Sequence, residues 1–138
     1  MYTCQKADEY IEKNRVDRAD KPEFHLTTPV GWLNDPNGFS IYGGKAHLFY
    51  QFHPYSTEWG PMHWGHSTSD DFIRWEELPT ALAPDSDYDA FGCFSGTAIE
   101  NDGKHVLFYT GVVEEKLADG TTVSYTHLRA HETAANLV

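Results

Sequence analysis

Apolar positions along the chain recur with two periods. From Gln5 to Arg18 (QKADEYIEKNRVDR), Ala7, Tyr10, Ile11 and Val16 stand near helical spacing amid charges, which predicts a short surface helix ended by Pro22. Beyond it the pattern is that of strands. Phe39 to Tyr42 and Lys45 to Phe52 are β-rich runs, and the Gly43-Gly44 between them signals a hairpin. Within the second run, alternation sends His47, Phe49 and Gln51 to one face and Leu48 and Tyr50 to the other. Met62 to Ser69 is a further strand, Ser69-Asp70-Asp71 a turn, and Phe72 to Glu77 a short strand or edge. Pro79 to Ala90, with its two prolines and carboxylates at 85, 87 and 89, reads as an irregular loop. Phe94 to Glu100 and His105 to Thr110 make a second hairpin across Asn101-Asp102-Gly103.

The two hairpins resemble one another. Gly44-Lys45-Ala46-His47-Leu48-Phe49-Tyr50 recurs, 59 residues later, as Gly103-Lys104-His105-Val106-Leu107-Phe108-Tyr109. The strands before them also open alike, with Gly38 ahead of Phe39-Ser40-Ile41 and Gly96 ahead of Thr97-Ala98-Ile99. Several short strands repeated at a fixed period are what successive propeller blades give, here with a spacing above the ~40 to 50 residues of familiar blade motifs. The expected fold is therefore all-β, with about two blades where a propeller needs at least about four.

Composition narrows the partners. With 10 Lys and Arg against 21 Asp and Glu, a net charge of -11 argues against nucleic acid and anionic membrane, which need a basic surface. No apolar run approaches the roughly 20 residues of a membrane helix, and Met1 to Phe24 is too charged for a secretory signal. Cys4 and Cys93 are too few for a disulfide framework and form no Cys-x-x-Cys pair, so a reduced, cytoplasmic setting is expected. Four Trp, eight Tyr and eight Phe are a high aromatic load, suited to sugar binding or to an aromatic β core.

The candidate chemistry centres on Asp35 in Gly31-Trp32-Leu33-Asn34-Asp35-Pro36-Asn37-Gly38-Phe39. Turn formers follow it, so the reading is a carboxylate at a bend ahead of a strand, either meeting a ligand or only accepting backbone hydrogen bonds. Asn34, Asp35, Gln51, Trp59, Trp64, Phe94 and Ser95 together supply a carboxylate, carboxamides, a hydroxyl and aromatic faces, the groups that hold a sugar. Each aromatic taken alone reads equally as core. The rival uses are weaker. His63 and His66, three apart on a strand, point to opposite faces, and with His53 they lack a Cys or Glu to complete a zinc set. Asp85, Asp87 and Asp89 lack the Gly and Glu of a calcium loop and read as solvated charges. No metal or cofactor is expected.

The order of motifs carries a resemblance: Trp32 to Gly38, Phe49-Tyr50-Gln51, Glu58-Trp59-Gly60, Trp64-Gly65-His66, Ser69-Asp70-Asp71-Phe72 with Trp75, and Phe94-Ser95-Gly96-Thr97-Ala98. Over His25 to Val113 the chain resembles glycoside hydrolase family thirty-two, the invertases, bacterial sucrose-6-phosphate hydrolases and fructan hydrolases. The resemblance implies a five-bladed β-propeller followed by a β-sandwich, and retaining cleavage of terminal β-fructofuranosides such as sucrose or its 6-phosphate. It makes Asp35 the nucleophile, has Asn34, Gln51 and Ser95 hold fructosyl hydroxyls, and sets Trp59 and Phe94 as pocket walls. The family's acid lies in a Glu-Cys motif and its stabilising Asp in an Arg-Asp-Pro motif. Neither occurs here, which implies truncation and an inactive fragment with open strand edges and poor solubility.

From Val123, Ser124 to Thr133 is without counterpart in the family and reads as adaptor read-through. The expected division is thus a lead at 1–23, a partial propeller at 24–122 and a non-native tail at 123–138. A non-catalytic sugar-binding propeller and a related five-bladed furanosidase are the competing readings. The acidic charge weakly disfavours a phosphorylated sugar.

Overall fold

In the computed structural model, which describes residues 1–17, 19 and 21–133, one helix precedes seven strands. They are α1 (Cys4–Asn14), β1 (Trp32–Tyr42), β2 (Lys45–His53), β3 (His63–Ser69), β4 (Glu76–Leu82), β5 (Gly92–Asn101), β6 (Lys104–Lys116) and β7 (Thr122–Thr133). The strands form two antiparallel meanders, β1-β2-β3-β4 and β5-β6-β7. These are the two blades that the repeat predicts, and the first strands of the two sheets, β1 and β5, pack along one another.

The helix starts where Thr3 Oγ1 accepts the Lys6 amide at 3.2 Å and stops well before Pro22. Arg15 leaves helical dihedrals, and the next amide, that of Val16, donates to the Pro29 carbonyl at 2.9 Å, so a tertiary acceptor replaces the helical one. The expected span to residue 18 is therefore too long, and residues 18 and 20 lie outside the described residues. The helix covers the outer edge of the first sheet. Asp8 Oδ1 accepts the Thr80 amide of β4 at 2.9 Å, and Arg15 pairs with Glu77, so an edge that would otherwise be open to another strand is occupied.

The expected loop from Pro79 to Ala90 is in part a strand, and the expected strand from Phe72 is in part a turn. Ser69 Oγ accepts the Phe72 amide at 2.8 Å and Asp71 Oδ1 accepts those of Ile73 and Arg74 at 2.9 and 2.7 Å, which holds the chain bent until β4 begins at Glu76. Pro79 is tolerated inside β4 because the strand is an edge and its register to β3 is irregular between the Trp64↔Leu82 and His66↔Leu78 pairs.

The alternation read along β2 holds. Phe49 lies in the core with Trp64, Leu82, Cys93, Leu107 and Tyr109, between the sheets, whereas Tyr50 and Phe52 line a hollow with Ile11 and Arg15. β3 is buried at every residue. β7 differs: it pairs with β6 from Lys116↔Thr122 to His105↔Thr133, but it has no fully buried side chain among those described, and Leu128 is 75% exposed. The strand crosses the 122/123 division, so the sheet has no boundary there, and residues 134–138 lie outside the described residues.

Three buried histidines stand between the sheets. His47 Nδ1 is 2.9 Å from His66 Nε2, His66 stacks on Phe49, and His105 Nε2 is 2.8 Å from Ser40 Oγ. His63 faces the other way, against Tyr2 and Tyr55. Burial, reinforced by His47 and His105, pushes His66 down to about 3, and burial pushes His63 and, with His47 beside it, His105 down to about 4. A lowered folded value favours the neutral ring, so its stabilisation is complete above the unfolded value near 6.5 and is lost as pH falls toward the folded value. Each ring that stays neutral removes about 1.4 kcal/mol per pH unit in that window. The urea midpoint should thus decline from pH 6.5 toward 4, more gently in His66→Gln; a flat profile would mean that the rings protonate inside the fold.

Candidate active site

The Asn34-Asp35-Pro36-Asn37-Gly38 stretch lies inside β1, which corrects the expectation of a bend before a strand. Its turn formers produce bulges instead. The register to β2 passes from Leu33↔Phe52 to Pro36↔Tyr50, leaving Asn34 and Asp35 opposite Gln51 alone. Pro36 fits because β1 is an edge strand. A second irregularity follows between Asn37 and Ser40, where Gly38 has φ +52° and a Cβ would lie 2.8 Å from the Phe49 ring.

β5 repeats the device. Phe94 pairs with Thr110 and Gly96 with Tyr109, so Ser95 is the extra residue of a bulge. Any side chain at Gly96 would run into the Phe108 carbonyl, which fixes the strand's close approach there. The two bulges meet: Ser95 Oγ donates to Asp35 Oδ2 at 3.1 Å across 60 residues of sequence. Both residues are exposed, so the carboxylate is solvent-accessible with one oxygen oriented by a hydroxyl.

The remaining candidates divide by environment. Asn34 Oδ1 accepts the Trp32 indole N–H at 2.8 Å, so its carbonyl is engaged within its own strand. Gln51 is 3% exposed, and its Nε2 donates to the Cys93 carbonyl at 3.0 Å. Its amide nitrogen is thus committed to backbone. Trp64 is a core residue, 0% exposed, with Nε1 donating to the Phe94 carbonyl at 3.2 Å. The Cys93 amide donates to Met62 O at 2.8 Å. Three bonds therefore fasten the start of β5 to the first sheet.

Trp59 is 49% exposed and meets Phe94 edge-on at 6.2 Å. Phe91, absent from the sequence reading, completes the wall at 5.7 Å from Trp59 and 6.2 Å from Phe94. Its one signal in the sequence is an aromatic residue just ahead of Gly92-Cys93-Phe94-Ser95. Asp89, read as a solvated charge, is 1% exposed, a second correction; Asp85 and Asp87 are exposed. The arrangement offers an oriented, accessible carboxylate whose partner Ser95 follows directly on the aromatic Phe94, which suits a nucleophile or a hydroxyl acceptor for a polar ligand with apolar ring faces.

Residues 25–134 match the glycosyl hydrolases family 32 N-terminal domain, a match that takes in all of β7. The chain is 55% identical over 92 residues to the sucrose-6-phosphate hydrolase of Escherichia coli, covering 67% of this chain and 19% of that enzyme. It is 47% identical over 111 residues to the levanase of Bacillus subtilis, 80% of this chain and 16% of that one. Among solved structures, the family 32 β-fructofuranosidase BmSUC1 of Bombyx mori superposes with a TM-score of 0.75 at 41% identity, covering 96% of this chain and 29% of that one. A mutant of BmSUC1 has been solved in complex with sucrose. The chain spans less than a fifth of these curated relatives.

Gln51→Leu removes the donor to the buried Cys93 carbonyl and should cost about 1–3 kcal/mol, seen as a lower melting temperature. An unchanged melting temperature would place the amide elsewhere.

Proposed function

This chain belongs to glycoside hydrolase family 32, a glycosidase family, and from that we propose that the complete protein carrying it hydrolyses terminal β-fructofuranosides, sucrose or sucrose 6-phosphate among them, with retention. The observation that carries the reading is the exposed Asp35 carboxylate, held at 3.1 Å by Ser95, the residue that follows Phe94 of the Trp59–Phe94 pair.

In this mechanism one oxygen of Asp35 is oriented by the Ser95 hydroxyl and the other attacks the anomeric carbon of the fructosyl unit. The new ester bond forms as the glycosidic C–O bond breaks, and an acid protonates the departing oxygen. Water then attacks the same carbon, gives its proton to that group, now a base, and frees Asp35. Asn34, the remaining polarity of Gln51 and Ser95 contact fructosyl hydroxyls, and Trp59 and Phe94 cover apolar ring edges.

Retention requires the second carboxyl about 5 to 5.5 Å away. The sequence holds neither a Glu-Cys nor an Arg-Asp-Pro, so these 138 residues alone are expected to be inactive. A cytoplasmic setting belongs to the same reading and is supported by the free thiols of Cys4 and Cys93. Among the described residues no helix is long and apolar enough to cross a membrane.

The division at residue 122 also remains a proposal. The bare exposure of β7, against a β3 buried throughout, supports reading 123–138 as a foreign stretch lying where a third strand belongs, although the family match runs to residue 134.

In the complete protein, Asp35→Ala should lower release of glucose from sucrose by about a thousand-fold or more, with the melting temperature unchanged within about a degree. Turnover like the wild type would sink the nucleophile assignment.

A further inference from the structure

Asp89 is the one fully buried carboxylate among the described residues, and its neighbours donate to it from three directions. Tyr109 O–H reaches Oδ2 at 2.7 Å, the Ser86 amide reaches Oδ1 at 2.9 Å, and the Cys93 thiol points to Oδ2 at 3.8 Å. Burial, then the carboxylate itself, pushes the Tyr109 phenol and the Cys93 thiol up, so both remain protonated donors. A carboxylate accepts on both oxygens, whereas an amide in its place must turn an N–H₂ toward one of these donors.

The backbone around it is closed as tightly. The Asp89 amide donates to Ser86 O at 3.2 Å, the Gly92 amide to Asp89 O at 2.8 Å and the Phe91 amide to Val112 O at 2.9 Å. β6 makes room at Gly111, where a Cβ would lie 2.6 Å from Tyr88 O and 3.2 Å from Asp89 Cβ. The loop before β5 is thus drawn into the second sheet by a buried carboxyl group, and its next residues include Phe91, Phe94 and Ser95. Burying a carboxylate costs several kcal/mol unless it is well bonded. Here every bond that offsets that cost also fixes the loop.

We propose that Asp89 is a positioning residue for substrate binding: through Tyr109, Cys93 and the Ser86–Gly92 backbone it holds the Phe91–Phe94 wall and the Ser95 hydroxyl in register with Asp35. This rests on the reading of the site given above. Asp35 stands on β1, outside the loop, so loosening the clamp spoils the wall more than the nucleophile.

The test is Asp89→Asn and Tyr109→Phe in the complete protein, with sucrose as the probe. For Asp89→Asn, KM should rise about ten-fold while kcat falls no more than about three-fold; Tyr109→Phe should raise KM in the same direction, about three-fold. A merely structural role would shrink the folded fraction and so lower kcat with KM unchanged, which overturns the proposal. Should Asp89→Asn fail to fold, the isosteric Tyr109→Phe decides: a raised KM supports the clamp and an unchanged KM overturns it. A wild type that cleaves no β-fructofuranoside overturns the reading of the site, and this proposal with it; a wild type that cleaves sucrose beside an unmoved KM in the variants overturns the clamp alone.

Discussion

Gln51 and Trp64 reach from the first sheet to the carbonyls of Cys93 and Phe94, and the rest of the site depends on that pair of hydrogen bonds. The apolar contact between the sheets is non-directional and permits sliding, so the alignment comes from polar contacts, these two together with the Cys93 amide on Met62 O. With them, the opening residues of β5 are held at fixed points against β2 and β3. The bulge at Ser95 then falls opposite the bulge at Asp35, and a 3.1 Å hydrogen bond becomes possible between residues on different blades. The core of Phe49, Trp64, Leu82, Cys93, Leu107 and Tyr109 supplies the cohesion; the two polar side chains supply the alignment.

Much of this was legible in the sequence, because hairpins are local. Gly43-Gly44 and Asn101-Asp102-Gly103 turn where they stand, and the alternation of His47, Phe49 and Gln51 gave the face on which each would lie. The failures share one cause, a local preference overridden from a distance. Pro36-Asn37-Gly38 favours a turn in isolation, but pairing with β2 on both sides keeps it in a strand and converts the preference into bulges. Pro79 looked like a loop residue until β4 proved to be an edge.

Side-chain destinations were less legible than strands. Asp89 has the company of loop carboxylates, and nothing within a few residues announces that Tyr109, twenty positions later, will donate to it. Gln51 was placed on the correct face, yet alternation does not say that a backbone carbonyl waits there. Polar satisfaction in a buried seam is a property of two distant segments together, and one segment read alone carries half of the information. For the same reason Phe91 is not legible in the sequence: beside its near neighbour Phe94 it packs on Trp59, which comes from the distant segment between β2 and β3.

The paired bulges have a consequence for how such a site is made. Asp35 and Ser95 occupy the same kind of distortion at the start of the same repeated unit, yet one accepts and the other donates. The repeated unit therefore shares a geometry rather than a residue: a kink that turns one side chain toward a common rim while leaving its identity free. Each further copy of the unit would add one more independently variable group to that rim. Catalytic diversity then grows with copy number, while the sheets that carry it stay alike.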